Sequence, residues 1–499
     1  MILREAFDYE FSPLDPHAAH IDPPSVAVYE TVIVKGPDWG SHPLLAQDWQ
    51  VSDDGLEWRV ALRPSLRFHS GAPCDAQAVI RALDALRTEA QADRDLWYWD
   101  PVKSLSAPDD RTLVFRLNHR YGRLPALLWG THTAVYNDVM RRDREAEFGR
   151  AVADGTGPFR LVSWSPERIV AERWDGYPGA PASFLEAATQ PLHGIEWVSI
   201  LDERERLGAL EGGDVDCLHG PPLDEVERLA EDPRFTVIEY PQPSNMYLAL
   251  DWRQVALGFD DLRVRRALSL AIDRPELVEQ ALHGRATAAF GPIPPGDEFY
   301  VPAIDREGVH DRALAAQLLD AAGFAAGPDG VRAREGQRLA FECVVQDDAV
   351  FRRVGALVRD QLARIGVVAE LRPVRPFAPF YEAVAAGPAA SLSKWLWQDP
   401  LDAAIGFSDS SNRPFPNWQH ASVPELDRAY QGWLRATSGD GLRSAAEHVA
   451  RVFAATLPYV PLLTPNDIWV HDAHVHGYRP FPANLYPFYQ GVSLDARAG

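Results

Sequence analysis

Apolar and polar positions alternate along much of this chain in short runs, with helix-spaced segments between them. Leu56, Trp58, Val60 and Leu62 fall on one parity and Glu57, Arg59 and Ala61 on the other, which predicts a half-buried strand. The alternating run 47–52 and the Asp53-Asp54-Gly55 turn after it predict a hairpin with this strand, because Gly enters positive φ without a Cβ penalty. After the turn at 68–73, Asp75 is placed to cap a helix carrying Ala78, Val79, Ala82, Leu83 and Leu86 on one face. Further strands are predicted at 3–11, 112–117, 168–174, 214–216, 247–251, 339–345, 367–371 and 468–470. Helices are predicted at 203–210, stopped by Gly212-Gly213, and at 224–230, 313–322 and 354–365. Asp261 caps a further helix with Val264, Ala267, Leu268 and Ala271 inward, and its arginines read as a solvated face. Asp273 opens the next, with Glu276 spaced for a capping box. This alternation of strands and helices predicts an α/β chain with mixed sheets and helices on their faces.

Length and composition narrow the picture. A chain of 499 residues calls for more than one domain. The net charge of −22 argues against nucleic acid, which needs a basic stripe along the phosphates. Cys74, Cys217 and Cys343 lie far apart without metal-like spacing, so three unpaired thiols are favoured. No run of 18 apolar residues suggests a transmembrane helix. The start, Met1 to Phe7, reads as a strand rather than the charged and then apolar profile of a secretory signal. Neither G-x-S-x-G nor H-E-x-x-H occurs, and no enzyme activity and no cofactor are expected.

Three stretches carry a resemblance. Pro43-Leu44-Leu45-Ala46, Trp49, Asp54-Gly55, Leu62-Arg63, Phe68-His69 and Gly71 form the first, and Gly155-Thr156-Gly157-Pro158-Phe159 the second. The third runs from Phe259 through Asp261, Arg263-Val264-Arg265 and Ala267 to Ala271-Ile272-Asp273-Arg274. Together they resemble the family 5 extracellular solute-binding proteins, the peptide- and nickel-type binding components of ABC importers. The resemblance implies a two-lobed periplasmic-binding-protein-like fold, type II and cluster C-like, with hinge crossovers and a smaller satellite domain. Lobe I would comprise 1–35, 157–250 and 465–499, the satellite 36–156, and lobe II 251–464. It also implies a monomer outside the cytoplasmic membrane that captures a solute between its lobes and hands it to a membrane permease. With no signal peptide visible, a cytoplasmic ligand sensor is the alternative.

By the same resemblance Tyr29, Glu30, Trp39, Asp251 and Trp252 would line the ligand site, together with the loop holding Trp395, Trp397, Asp399, Asp402, Asn417 and Trp418. Peptide binders of the family place an Asp after the first Trp of this loop to grip the α-amine, and here none lies between Trp395 and Asp399. Indoles beside carboxylates and amides suit a sugar's flat CH faces and hydroxyls. An oligosaccharide is therefore the favoured expectation, and an oligopeptide or dipeptide the alternative, with Arg372 or Arg375 to meet its carboxylate. His471, His474 and His476 raise a metal site, since the last two would share a strand face, but a polar hairpin is preferred.

Overall fold

The computed structural model describes residues 1–17, 23–89, 99–130, 133–181, 187–188, 190–306, 309–375, 377–394, 400–414, 416–437, 439–481 and 488–496. The chain divides into two compact units, Met1–Tyr240 with Asp467–Gly499, and Pro241–Asn466.

In the first unit, the strand Ile2–Phe7 runs parallel to Gly194–Ser199 on one side and to Cys217–His219 on the other. The expected strand 3–11 stops at Phe7, and Asp8 and Tyr9 form a bend. Arg168–Arg173 pairs antiparallel with Gly194–Ser199, and Phe159–Ser165 closes that edge. Leu3, Phe7, Ile195 and Trp197 are buried in one core, while Ala6 packs into a second with Leu207, Leu210 and Leu229. Both faces of the central strand are thus covered, as parallel strands require.

The predicted hairpin lies in a four-stranded antiparallel sheet ordered Ala46–Val51, Glu57–Leu62, Thr112–Leu117, Val102–Asp109. Trp58, Val60 and Leu62 are buried as the parity required, while Leu56 lies just outside the strand and stays exposed. Asp75 accepts from Ala78 N (2.8 Å) at the start of the helix Ala76–Glu89, whose Ala78, Val79, Ala82, Leu83 and Leu86 are all buried.

Two of the sequence motifs meet here. His69 N donates to Gly155 O (2.9 Å), and Ser70 donates to Asp154 through N (2.8 Å) and Oγ (2.7 Å). A Cβ on Gly155 or Gly157 would overlap the Val28 or Ala27 carbonyl of the helix Pro23–Val28. The glycines are there for close approach.

In the second unit, Ala340–Gln346 lies parallel to Val368–Val374 and to Ala390–Lys394, and Met246–Leu250 runs antiparallel to Ala390–Lys394. Asp261 caps Leu262–Ala271, burying Val264, Ala267, Leu268 and Ala271 as predicted. The arginines of this helix depart from expectation. Arg265 is buried and donates to the carbonyls of Thr456, Leu457 and Phe259, because the helix Gly439–Thr456 ends there with orphan carbonyls. The capping box is also modified. Asp273 accepts from Glu276 N (3.1 Å), but Gln361 stands between the partners, accepting from Asp273 N (2.9 Å) and donating to Glu276 (2.8 Å). All three cysteines are free and buried.

Candidate functional site

Tyr29 and Glu30 follow the helix Pro23–Val28 in the first unit and are both buried. The Tyr29 hydroxyl donates to Leu14 O (2.5 Å), so it anchors the preceding loop. Glu30 accepts from the Tyr177 hydroxyl (2.8 Å), and its carboxyl is pushed up to about 7 by burial, against the pull of nearby Arg63 and Tyr177. Trp39 is part-exposed, with φ +62°. The Lys35 ammonium lies 4.3 Å from its ring centre and 4.5 Å from that of Trp129, a cation held between two indoles.

The second unit holds the remaining candidates. Asp251 is buried and gripped side-on by Arg253, with Nε at 3.0 Å and Nη2 at 2.9 Å from its oxygens. The Trp252 ring carries the Arg265 guanidinium 3.8 Å from its centre. Asn417 and Trp418 are interior. The Asn417 amide donates to Asp409 O and Ala421 O (2.9 Å each) and accepts from Ala421 N (3.0 Å), so all three bonds hold its own loop. Trp395, Trp397 and Asp399 lie outside the described residues, as does the Asp402 side chain. Arg372 is taken by Glu342 on the adjacent strand (2.7 Å).

The histidines lie near one another, but His474 and His476 do not share a strand face. His471 ends the long strand Val460–Asp472, His474 sits in the turn after it against Asp472 (2.7 Å), and His476 pairs with Asp495 (2.8 Å). Among the described residues no group of three or more His, Cys, Asp and Glu is arranged to hold a metal.

Sequence reasoning missed two charged clusters in the first unit. Glu5 is fully buried, accepting hydrogen bonds from the hydroxyls of Tyr478 and Tyr489 (the latter at 2.6 Å), and burial pushes it up to about 7. Its signal was available, since Glu5 shares strand parity with the apolar Leu3 and Phe7. The second cluster joins His219 Nε2 to Asp467 (2.7 Å), with Asp8 3.4 Å from Nδ1. Burial opposes its charge, yet the two carboxylates push His219 up to about 10. Asp467 also accepts from Trp469 Nε1 (2.8 Å) and the Tyr240 hydroxyl (3.1 Å). Buried titratable groups with specific charge partners of this kind mark a candidate functional site.

A family model described as bacterial extracellular solute-binding proteins, family 5 middle, matches residues 41–413. The chain belongs to this family. Family 5 proteins are non-enzymatic binding components of ABC importers, found in the periplasm or outside the cell. The glutathione-binding protein GsiB of Salmonella paratyphi A is 27% identical across 96% of this chain and 92% of its own. DppA of Helicobacter pylori, solved with the peptide STSA, superposes with TM-score 0.84 at 21% identity, covering 99% of this chain and 98% of that one. NikZ of Campylobacter jejuni, solved with Ni(L-His), gives TM-score 0.82 at 18% identity, covering 96% of each chain. The fold is accordingly the type II family 5 fold, mixed α/β with several sheets. Among the described residues no helix is long and apolar enough to cross a membrane.

Proposed function

We propose that this family 5 protein captures a short peptide or peptide-like solute outside the cytoplasmic membrane and delivers it to an ABC permease. The observation that carries the reading is the match, over nearly the whole length of both chains, to a glutathione binder, with a peptide complex of the same fold beside it. The earlier preference for an oligosaccharide loses two of its supports. Asn417 spends its amide on its own loop, and Trp418 is only 2% exposed. A peptide brings two charges that must be paired once enclosed. Buried charged groups such as Glu30 and Lys35 of the first unit supply such chemistry better than stacking alone.

A thermal-shift panel tests the reading, since a ligand that binds only the folded state raises its melting temperature. Di- to pentapeptides and glutathione are expected to stabilise the chain. Stabilisation by oligosaccharides alone, or by Ni(L-His) alone, would overturn it.

A further inference from the structure

The strands Ile2–Phe7, Gly194–Ser199 and Cys217–His219 run parallel, so their carboxyl ends share one edge of the first unit's sheet. In open α/β sheets, solutes bind outside that edge. Here the edge holds Asp8 directly after the first strand and His219 at the end of the third. Asp467 lies two residues before Trp469, the register partner of His219. The Arg206 guanidinium holds the edge in place by donating to the carbonyls of Ile200, His219 and Gly220.

The charges facing this edge can be counted. His219 and Arg206 are positive. Asp8 and Asp467 are negative, as are Asp202 and Glu203 at the start of the helix Glu203–Glu211, which act on Arg206. With Glu5, which acts with His219, and Arg204, which acts on Asp202, five carboxyl groups stand against three cations and the edge stays acidic. Asp467 is consumed by His219, Trp469 and Tyr240. Asp8 is not in the same position. It has His219 on one side, yet 42% of its side chain is exposed.

We propose that Asp8, oriented by His219, is the contact for a primary ammonium on the solute. The inference rests on the peptide reading above and assigns the α-amine of that solute to the first unit. It bears on a departure of the sequence, which has no Asp between Trp395 and Asp399. His219 is a positioning residue: its Nδ1 faces the Asp8 carboxylate 3.4 Å away as an ion pair without a hydrogen bond, and the exposed side of the carboxylate is left for the ligand.

The test uses the full chain, with melting temperature and calorimetric affinity as readouts. Its probes are alanine peptides, their N-acetylated forms, and agmatine and spermidine as amines that are not peptides. Free-amine peptides are expected to bind and their acetylated forms to bind at least about tenfold more weakly, the loss typical of a bond to a charged group. Asp8→Asn should remove that preference while leaving the weaker acetylated affinity unchanged, and Asp8→Glu should restore part of it. Binding of the non-peptide amines alone, lost in Asp8→Asn, would uphold this assignment and overturn the peptide reading. Equal binding of acetylated and free peptides, or full affinity in Asp8→Asn with an unchanged unliganded melting temperature, would overturn the assignment and leave the peptide reading intact. Binding of none of the probes would overturn both.

Discussion

The two units differ in the buried glutamates that can titrate near neutral pH. The second buries arginines and satisfies them with backbone. Arg274 donates to the carbonyls of Ala289, Pro461 and Ser269, and Arg265 to those of Phe259, Thr456 and Leu457. Burial pulls both guanidinium groups down only to about 10, so they stay charged at any physiological pH. The first unit holds Arg206 on backbone carbonyls in the same way, but it also buries two glutamates. Glu5 and Glu30 are both pushed up to about 7, inside the physiological range. Guanidinium groups that cap orphan carbonyls make a pH-indifferent scaffold, whereas carboxyls held by tyrosine hydroxyls make a titrating one.

The largest effect is expected from breaking an arginine cap. Arg274→Met takes a charged donor from three buried carbonyls, so the second unit should lose about 3 kcal/mol, read from urea unfolding midpoints. Arg274→Lys should recover little of it, because an ammonium lacks the planar fork.

Next in size is the pH response of the first unit. Both folded-state values lie above the ordinary 4.5 of a glutamate, so the folded state binds the proton more tightly. The contribution of each group is complete below about pH 4.5 and is lost as pH rises through about 7. Each is worth up to about 3 kcal/mol across that window. Urea melts should show the first unit weakening from pH 5 to 8, and Glu5→Gln should remove its share of the slope. A second unit that weakened equally would erase the contrast.

A smaller loss, about 1 to 3 kcal/mol, is expected for Asn417→Ala, which orphans the Asp409 and Ala421 carbonyls inside the second unit. Arg372→Ala should cost less than about 1 kcal/mol, because its bond to Glu342 is solvent-screened on both sides. Hydrogen exchange of the strand Val368–Val374 would report the difference.

The same contrast explains what the sequence made legible. Elements set by local spacing were readable: the parity of Trp58, Val60 and Leu62, and the caps at Asp75, Asp261 and Asp273. So was the family, and the structure gives the reason. The motif residues His69, Gly155 and Arg265 bind one another or the backbone, and they identify the fold because they hold it together. The charged clusters were not readable, because their partners are remote in sequence. Glu5 meets Tyr489 across 484 positions and His219 meets Asp467 across 248. No spacing rule links such pairs. The ligand was not legible for a related reason. Asn417 and Trp418 have the composition of a sugar site, but composition does not tell whether a side chain faces solute or its own loop.

The most direct test of the central claim is native mass spectrometry of the whole chain. It would be incubated with equimolar alanine tetrapeptide, maltotetraose and Ni(L-His) in competition. The account predicts one adduct per chain with the mass of the tetrapeptide. Occupancy by maltotetraose or by the nickel complex, with the peptide left unbound, would contradict it.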